Sequence, residues 1–188
     1  MKMKSVITLL LALVVLTIQA QEIRMPQMPK KKAFKDISMQ EKGFWFAVEA
    51  GAGSTAESGM KNAQIATATV TGGYRFSEFL KIGAGVGGGY YFNNSDIRSS
   101  SERVNIPVFL NVRGNIMTQE YQTAVPYWAF SAGSRINDGT FFSPAIGFRF
   151  GEHRSSFIMA VRYEYGQIKL VDGKKWCSSF HLSFGYEL

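Results

Sequence analysis

Between Arg103 and Asn115 the chain alternates strictly. Val104, Ile106, Val108, Leu110 and Val112 take one parity; Arg103, Asn105, Pro107, Phe109, Asn111 and Arg113 take the other. Successive side chains of an extended chain point to opposite faces, so the stretch predicts a strand with one apolar and one largely polar face. It outruns the usual ~5–6 residues of a globular strand and reaches the ~9–11 that a tilted strand needs to cross a bilayer. The apolar face is expected to meet lipid and the polar face a lumen. On that parity an arginine at Val108 should impair assembly, and one at Asn111 should be better tolerated.

The same alternation recurs on either side. Gly43–Gly53 places Phe44, Phe46, Val48 and Ala50 opposite Trp45, Ala47 and Glu49; Ala63–Arg75 turns Ala66, Ala68, Val70 and Tyr74 outward. Phe79–Phe92 is the second clean case, with Leu80, Ile82, Ala84, Val86, Tyr90 and Phe92 on one face and Lys81, Gly83, Gly85, Gly87, Gly89 and Tyr91 on the other. Those inward glycines are expected to leave room for long arginines from opposite strands. After the Arg103–Asn115 strand come Ala124–Ile136, Phe141–Phe150, Ser156–Gly166 and Trp176–Leu188. Asn137-Asp138-Gly139-Thr140 carries the Asp-Gly signature of a tight hairpin. Gln167–Lys175 reads as a polar loop. Pro107, Pro126 and Pro144 each remove a ladder donor, which predicts bulges or locally open pairing.

Eight strands with short connections suit antiparallel neighbours and an even-numbered barrel. Outward aromatics gather at the strand ends, Tyr90, Phe92, Phe142, Tyr163 and Tyr165 toward one rim and Phe44, Tyr74, Trp128, Phe148, Phe150, Phe184 and Tyr186 toward the other. Two such girdles flank the apolar band of membrane barrels. The predicted fold is all-β: an eight-stranded antiparallel up-and-down transmembrane β-barrel over residues 43–188.

The preceding residues are of another kind. Met1–Ala20 has Lys2 and Lys4 before the apolar run Val6–Ile18 and an Ile-Gln-Ala ending. That is a cleaved signal peptide, too short for a comfortable membrane helix. Residues 21–42 contain Pro26, Pro29 and Lys30-Lys31-Lys32, with no sustained period; they predict a mostly disordered periplasmic linker, either a solvated leader or a basic arm for anionic head groups. The formal charge of +7 is concentrated here, whereas residues 43–188 are nearly balanced. A high pI so distributed, without a recognition motif, gives no case for nucleic-acid binding. Hydrophobic residues make up 46% at a mean hydropathy of only −0.04, the balance expected of alternating strands. The single cysteine, Cys177, excludes an intrachain disulfide.

The alternating strands, the signal peptide and the ending His181-Leu-Ser-Phe-Gly-Tyr-Glu-Leu188 together resemble the small eight-stranded outer-membrane barrels of the OmpA/OmpX-like group. The ending is similar to their barrel-assembly signal, with Leu188 where Phe is commoner and Ser183 where Gly is usual. The resemblance implies residence in the outer membrane of a Gram-negative bacterium. It also implies contact with outer-membrane lipids and lipopolysaccharide, recognition of the C-terminal strand by the assembly machinery, and a monomer. It transfers no activity, because this fold hosts several.

The one charged constellation is inward: Glu49, Arg75, Lys81, Arg103, Arg113, Arg135, Arg149, Arg162, Glu164, His181 and Glu187. Ionisable groups inside a membrane protein pair or line water, and an eight-stranded bore is just wide enough for its side chains to fill. A structural plug of ion pairs is the first reading, with Glu49 accepting from Arg162 and His181 beside them. A small anion-preferring pore is the second, because cationic groups outnumber acidic ones. An envelope lipid-modifying enzyme is the third, and it fits least: a hydrolase would need serine and histidine together near the outer leaflet, while His181 is placed mid-strand and His153 in a turn. Asp96, Asp138 and Asp172 read as solvated loop charges. No catalytic residue, metal site or cofactor is expected, since no ligand spacing repeats.

Overall fold

The computed structural model describes residues 42–56, 63–92, 103–119, 123–136, 138–152, 155–170 and 173–188. The expected signal peptide, the linker up to residue 41, and Asp96, His153 and Asp172 lie outside them. The strands are β1 (Gly43–Thr55), β2 (Gln64–Arg75), β3 (Lys81–Phe92), β4 (Val104–Asn105), β5 (Pro107–Asn115), β6 (Ala124–Arg135), β7 (Gly139–Glu152), β8 (Ser155–Leu170) and β9 (Gly173–Glu187). β4 and β5 both pair with β3 and form a single stave interrupted at Ile106, so the barrel has eight staves. All neighbours are antiparallel, and β1 pairs with both β2 and β9, which closes the sheet. Following the register once around from Trp45 returns to Thr55, ten residues further along β1. Such a stagger obliges every stave to tilt.

Face assignment follows the alternation on every stave. Trp45, Ala47 and Glu49 are buried while Phe44, Phe46 and Val48 are exposed, and the same holds from β2 to β9. The outward face is a belt of large apolar side chains exposed to the surroundings, among them Val86, Leu110, Phe130, Ile146, Val161 and Leu182. A protein stable in water rarely exposes so continuous a patch. Aromatic pairs brace its edges: Phe44 against Tyr74 at 5.7 Å and Tyr163 against Phe180 at 5.1 Å.

The prolines act unequally. At Pro144 the β7–β8 register passes from Phe142↔Tyr165 to Ala145↔Arg162 without slipping, which is an open pairing and not a bulge. The stave also opens at Ile106–Pro107 with its register against β3 preserved. At Pro126 the β6–β7 ladder runs unbroken. Its carbonyl accepts from Ile116 N at 2.8 Å, on the β5 side, so the missing donor falls where β5 has already ended.

Two expectations are corrected. The inward glycines of β3 do not make room for arginines: a side chain at Gly85 would collide with the Phe109 ring, one at Gly83 with Trp45 and the Gly72 carbonyl, and one at Gly89 with Asn105. Aromatic and amide groups of nearby staves fill the space. Gly85→Leu should therefore overpack the lumen at ~1–3 kcal/mol, read as a lower urea midpoint for loss of the heat-modifiable folded band. Residues 167–175, expected as a polar loop, are mostly ladder, since β8 and β9 stay paired to Leu170↔Gly173. The alternation continues through Ile168 and Cys177, which are buried with Ile65 and Tyr91 in an apolar cluster.

Candidate functional site

One end of the barrel holds Gly43 and Glu187; call it the terminal end, and the other the hairpin end. Near the terminal end Arg75, Lys81 and Arg113 are consecutive cross-strand partners on β2, β3 and β5, all facing inward. Like charges so placed repel. Their counter-charge is Glu187, which the register of β9 sets opposite Ala47 and Ser156. Its carboxylate accepts from Lys81 Nζ at 2.5 Å, Arg149 at 2.7 Å and Arg75 at 3.3 Å, and Arg113 Nη1 lies 3.5 Å away. Arg149 also donates to Ser156 Oγ at 2.5 Å.

The next layer is built on Glu49. Arg113 donates to it at 2.6 Å and Arg162 at 2.7 Å. Arg113 is itself fixed by Asn111 Oδ1 at 2.6 Å and by the Trp45 ring at 4.7 Å. Asn111 is 0% exposed and donates to Ser131 Oγ at 2.8 Å. Asn111 faces the lumen as its parity predicts, but it is an occupied joint there and not open bore, so an arginine would have to displace these partners.

The third layer is centred on Glu164, which pairs with Arg135 and lies 3.6 Å from His181 Nε2. Arg135 covers the Phe141 ring at 4.7 Å. His181 was expected beside Glu49; instead Glu49 is level with Gly185 and His181 with Gly53. Alternation fixes the face of a residue, but the stagger between β1 and β9 fixes its height, and here it lifts His181 by four residues. Arg103, just before β4, is half-buried.

Asp138 caps the hairpin end. It is 2% exposed, not solvated as the loop reading had it, and accepts from Tyr91 Oη at 3.3 Å and from Lys169 N at 3.2 Å. Burial holds its carboxyl above the ordinary range, with these hydrogen bonds and Arg135 opposing the shift. Gly139, at φ 140°, follows it in the tight hairpin.

Between the second and third layers a cavity of about 30 Å³ has a mixed lining, with Tyr91, Arg135, Glu164 and His181 beside Ile65 and Phe109 among others. It is water-sized and far below the ~300 Å³ at which organic ligands begin to fit. Ser179 Oγ lies 2.9 Å from His181 Nε2, a pairing that face assignment alone did not single out. Ser179 and Glu164 both meet the same ring nitrogen, while Nδ1 lies against Gly53. A base relay instead needs its acid on the nitrogen opposite the nucleophile. Among the described residues no three His, Cys, Asp or Glu side chains gather as a metal would require.

The closed antiparallel eight-stave barrel is an architecture shared with known proteins. The chain has the fold of the small eight-stranded outer-membrane barrels. The crystal structure of Neisserial surface protein A matches with a TM-score of 0.55 at 16% identity, over 77% of this chain and 96% of that one. The crystal structure of outer membrane protein OprG from Pseudomonas aeruginosa gives 0.42 at 13% identity over 79% and 97% of the two chains. The solid-state NMR structure of AlkL in lipid bilayers gives 0.42 at 17% over 87% and 95%. No family model and no curated protein matches the sequence. At these identities the likeness is one of fold, and the lumen must be read from its own residues.

Proposed function

We propose that the protein is an integral outer-membrane barrel with a non-catalytic, structural or surface-interaction role, its bore closed by ion pairs. The carrying observation is the lumen itself. Arg75, Lys81, Arg113, Arg149 and Arg162 converge on Glu49 and Glu187, and above them Arg135 and His181 meet Glu164. Each contact joins different staves, so the network laces the barrel wall across the bore. The outward belt supplies the lipid-facing surface, and the terminal end, with Gly43 and Glu187, faces the periplasm. A small anion-preferring pore is the second reading, favoured by the number of cationic side chains in the two lower layers. The buried Ser179–His181 pair offers little to the enzyme reading, because it faces the lumen and not the acyl chains of the membrane.

The three tryptophans test the membrane arrangement. Trp128 and Trp176 have outward parity, and Trp45 points into the lumen. In bilayers containing brominated lipid, single-tryptophan variants retaining Trp128 or Trp176 should lose most of their fluorescence, while one retaining Trp45 should keep it. Equal quenching of all three would reject a lipid-immersed barrel with this face assignment.

A further inference from the structure

The connection between β5 and β6 is more than a turn at the rim. Its described residues are 116–119 and Thr123. Ile116, Met117 and Thr118 are exposed, but Gln119 is only 5% exposed. Connecting segments usually run over the surface, and a polar side chain in one is rarely so buried. The backbone N of Gln119 donates to Glu78 Oε2 at 3.0 Å, and its side-chain Nε2 donates to the Gly151 carbonyl at 2.6 Å. Glu78 stands in the turn between β2 and β3 and is itself buried. Gly151 lies near the end of β7, and its N–H donates to the Thr123 carbonyl at 3.0 Å.

These two anchors belong to different sides of the terminal mouth. From β3 to β7 the wall takes three interstrand steps, through β5 and β6, or ~14 Å. A residue bonded to both anchors sits inside the ring of strands, on a line across the mouth. Gln119 therefore draws the chain inward as a strap. The strap lies beyond the layer around Glu187, because Asn115 follows Arg113, Glu78 follows Arg75 and Gly151 follows Arg149 toward the terminal end.

The strap is latched, but its polar groups are not all satisfied. Asn115 Nδ2 and Gln119 Oε1, one donor and one acceptor, are buried without a hydrogen-bond partner in the protein. Burying such groups unpaired is costly, and hydration recovers the cost. Swinging outward gives both groups to water and sacrifices the two Gln119 hydrogen bonds. Gains and losses of the same kind oppose each other, which poises the strap between closed and open. The ion-pair layers are unlike it, since separating them strands buried charges.

We propose that residues 115–119 form a second closure of the bore, a strap latched by Gln119 across the periplasmic mouth, in series with the ion-pair plug and able to open without it. The inference rests on the closed-barrel reading above and adds to it a moving part outside the ion-pair layers.

The test is the labelling rate of a thiol beneath the strap, in the purified full chain folded in detergent. Asn115→Cys supplies the thiol, and Cys177→Ala removes the native one. The Asn115 amide donates no hydrogen bond that the change would break. It also lies on the mouth side of the ion-pair layers, so they do not shield it. The probe is a small anionic methanethiosulfonate, and mass spectrometry follows the adduct. Labelling should be slow with Gln119 in place. Gln119→Ala should speed it about tenfold or more, as the open population rises. Gln119→Glu should do the same, because a carboxylate cannot donate to the Gly151 carbonyl; it keeps the side chain's shape and carries the comparison if the alanine variant gives no folded band. Thr118→Ala, an exposed neighbour outside the latch, should label slowly. Fast labelling with Gln119 in place, or equal rates with and without it, overturns the strap. In planar bilayers Glu49→Ala/Gln119→Ala should stay open longer than Glu49→Ala, and equal open times overturn the arrangement in series. Steady current from Gln119→Ala alone counts against the ion-pair plug and not against the strap.

Discussion

Glu187→Gln is expected to lower barrel stability more than any other single lumen substitution. The carboxylate is 1% exposed and faces Arg75, Lys81, Arg113 and Arg149 within 3.5 Å. Three of these cations are already cross-strand neighbours, so the amide leaves like charges adjacent without their shared counter-charge. Breaking a buried pair by removing one partner typically costs ~3–5 kcal/mol, and a hub serving four cations belongs at the upper end. The measurement is the urea midpoint for loss of the folded band after refolding of the purified chain. Refolding in vitro matters because Glu187 lies in the terminal strand, next to Tyr186 and Leu188 of the expected assembly signal. A variant that reaches the outer membrane poorly but refolds with wild-type stability would place the effect in assembly and refute the hub.

Leu110→Arg should have the second-largest effect. Leu110 is 67% exposed and stands near the middle of the stave formed by β4 and β5. An arginine on the lipid face near the midplane costs ~2–4 kcal/mol and falls to ~0–1 near the interfaces. Ile136 is as exposed, at 69%, but lies just past the end of β6 at the hairpin rim. Ile136→Arg should therefore be nearly neutral. In water two equally exposed positions would respond alike, so the difference between the variants reports the bilayer directly. Equal urea midpoints for both would mean that depth in the membrane does not govern these positions.

Much of this architecture was legible because a period of two is robust to local noise. Val104 to Val112 and Leu80 to Phe92 each fix a face without knowledge of their neighbours, and the faces of all eight staves follow. Height is a different matter, because it depends on pairing register. Glu49 and Arg162 meet at 2.7 Å, but His181 sits four residues above Glu49 and joins Glu164. The prominence of Glu187 was hidden for the same reason: only register brings it opposite the row of Arg75, Lys81 and Arg113. The extension of β8 and β9 was masked by Gln167, Lys169, Lys174 and Lys175, whose polarity suggests a loop. Ile168 and Cys177 carried the alternation through it. The β3 glycines were legible as a need for space, but not as space for Trp45 and Phe109. Asp138 resembled any hairpin aspartate until Tyr91 and Lys169 were placed around it.

Single-channel recording in planar bilayers tests the closed lumen most directly. Wild-type protein, folded by gel migration and inserted at known protein-to-lipid ratio, should give no steady current. Glu49→Ala, which releases Arg113 and Arg162 from their shared carboxylate, should give brief openings and a lower urea midpoint. Steady, anion-preferring channels from the wild type, unchanged in size by Glu49→Ala, would contradict a plug of ion pairs and make the protein a pore.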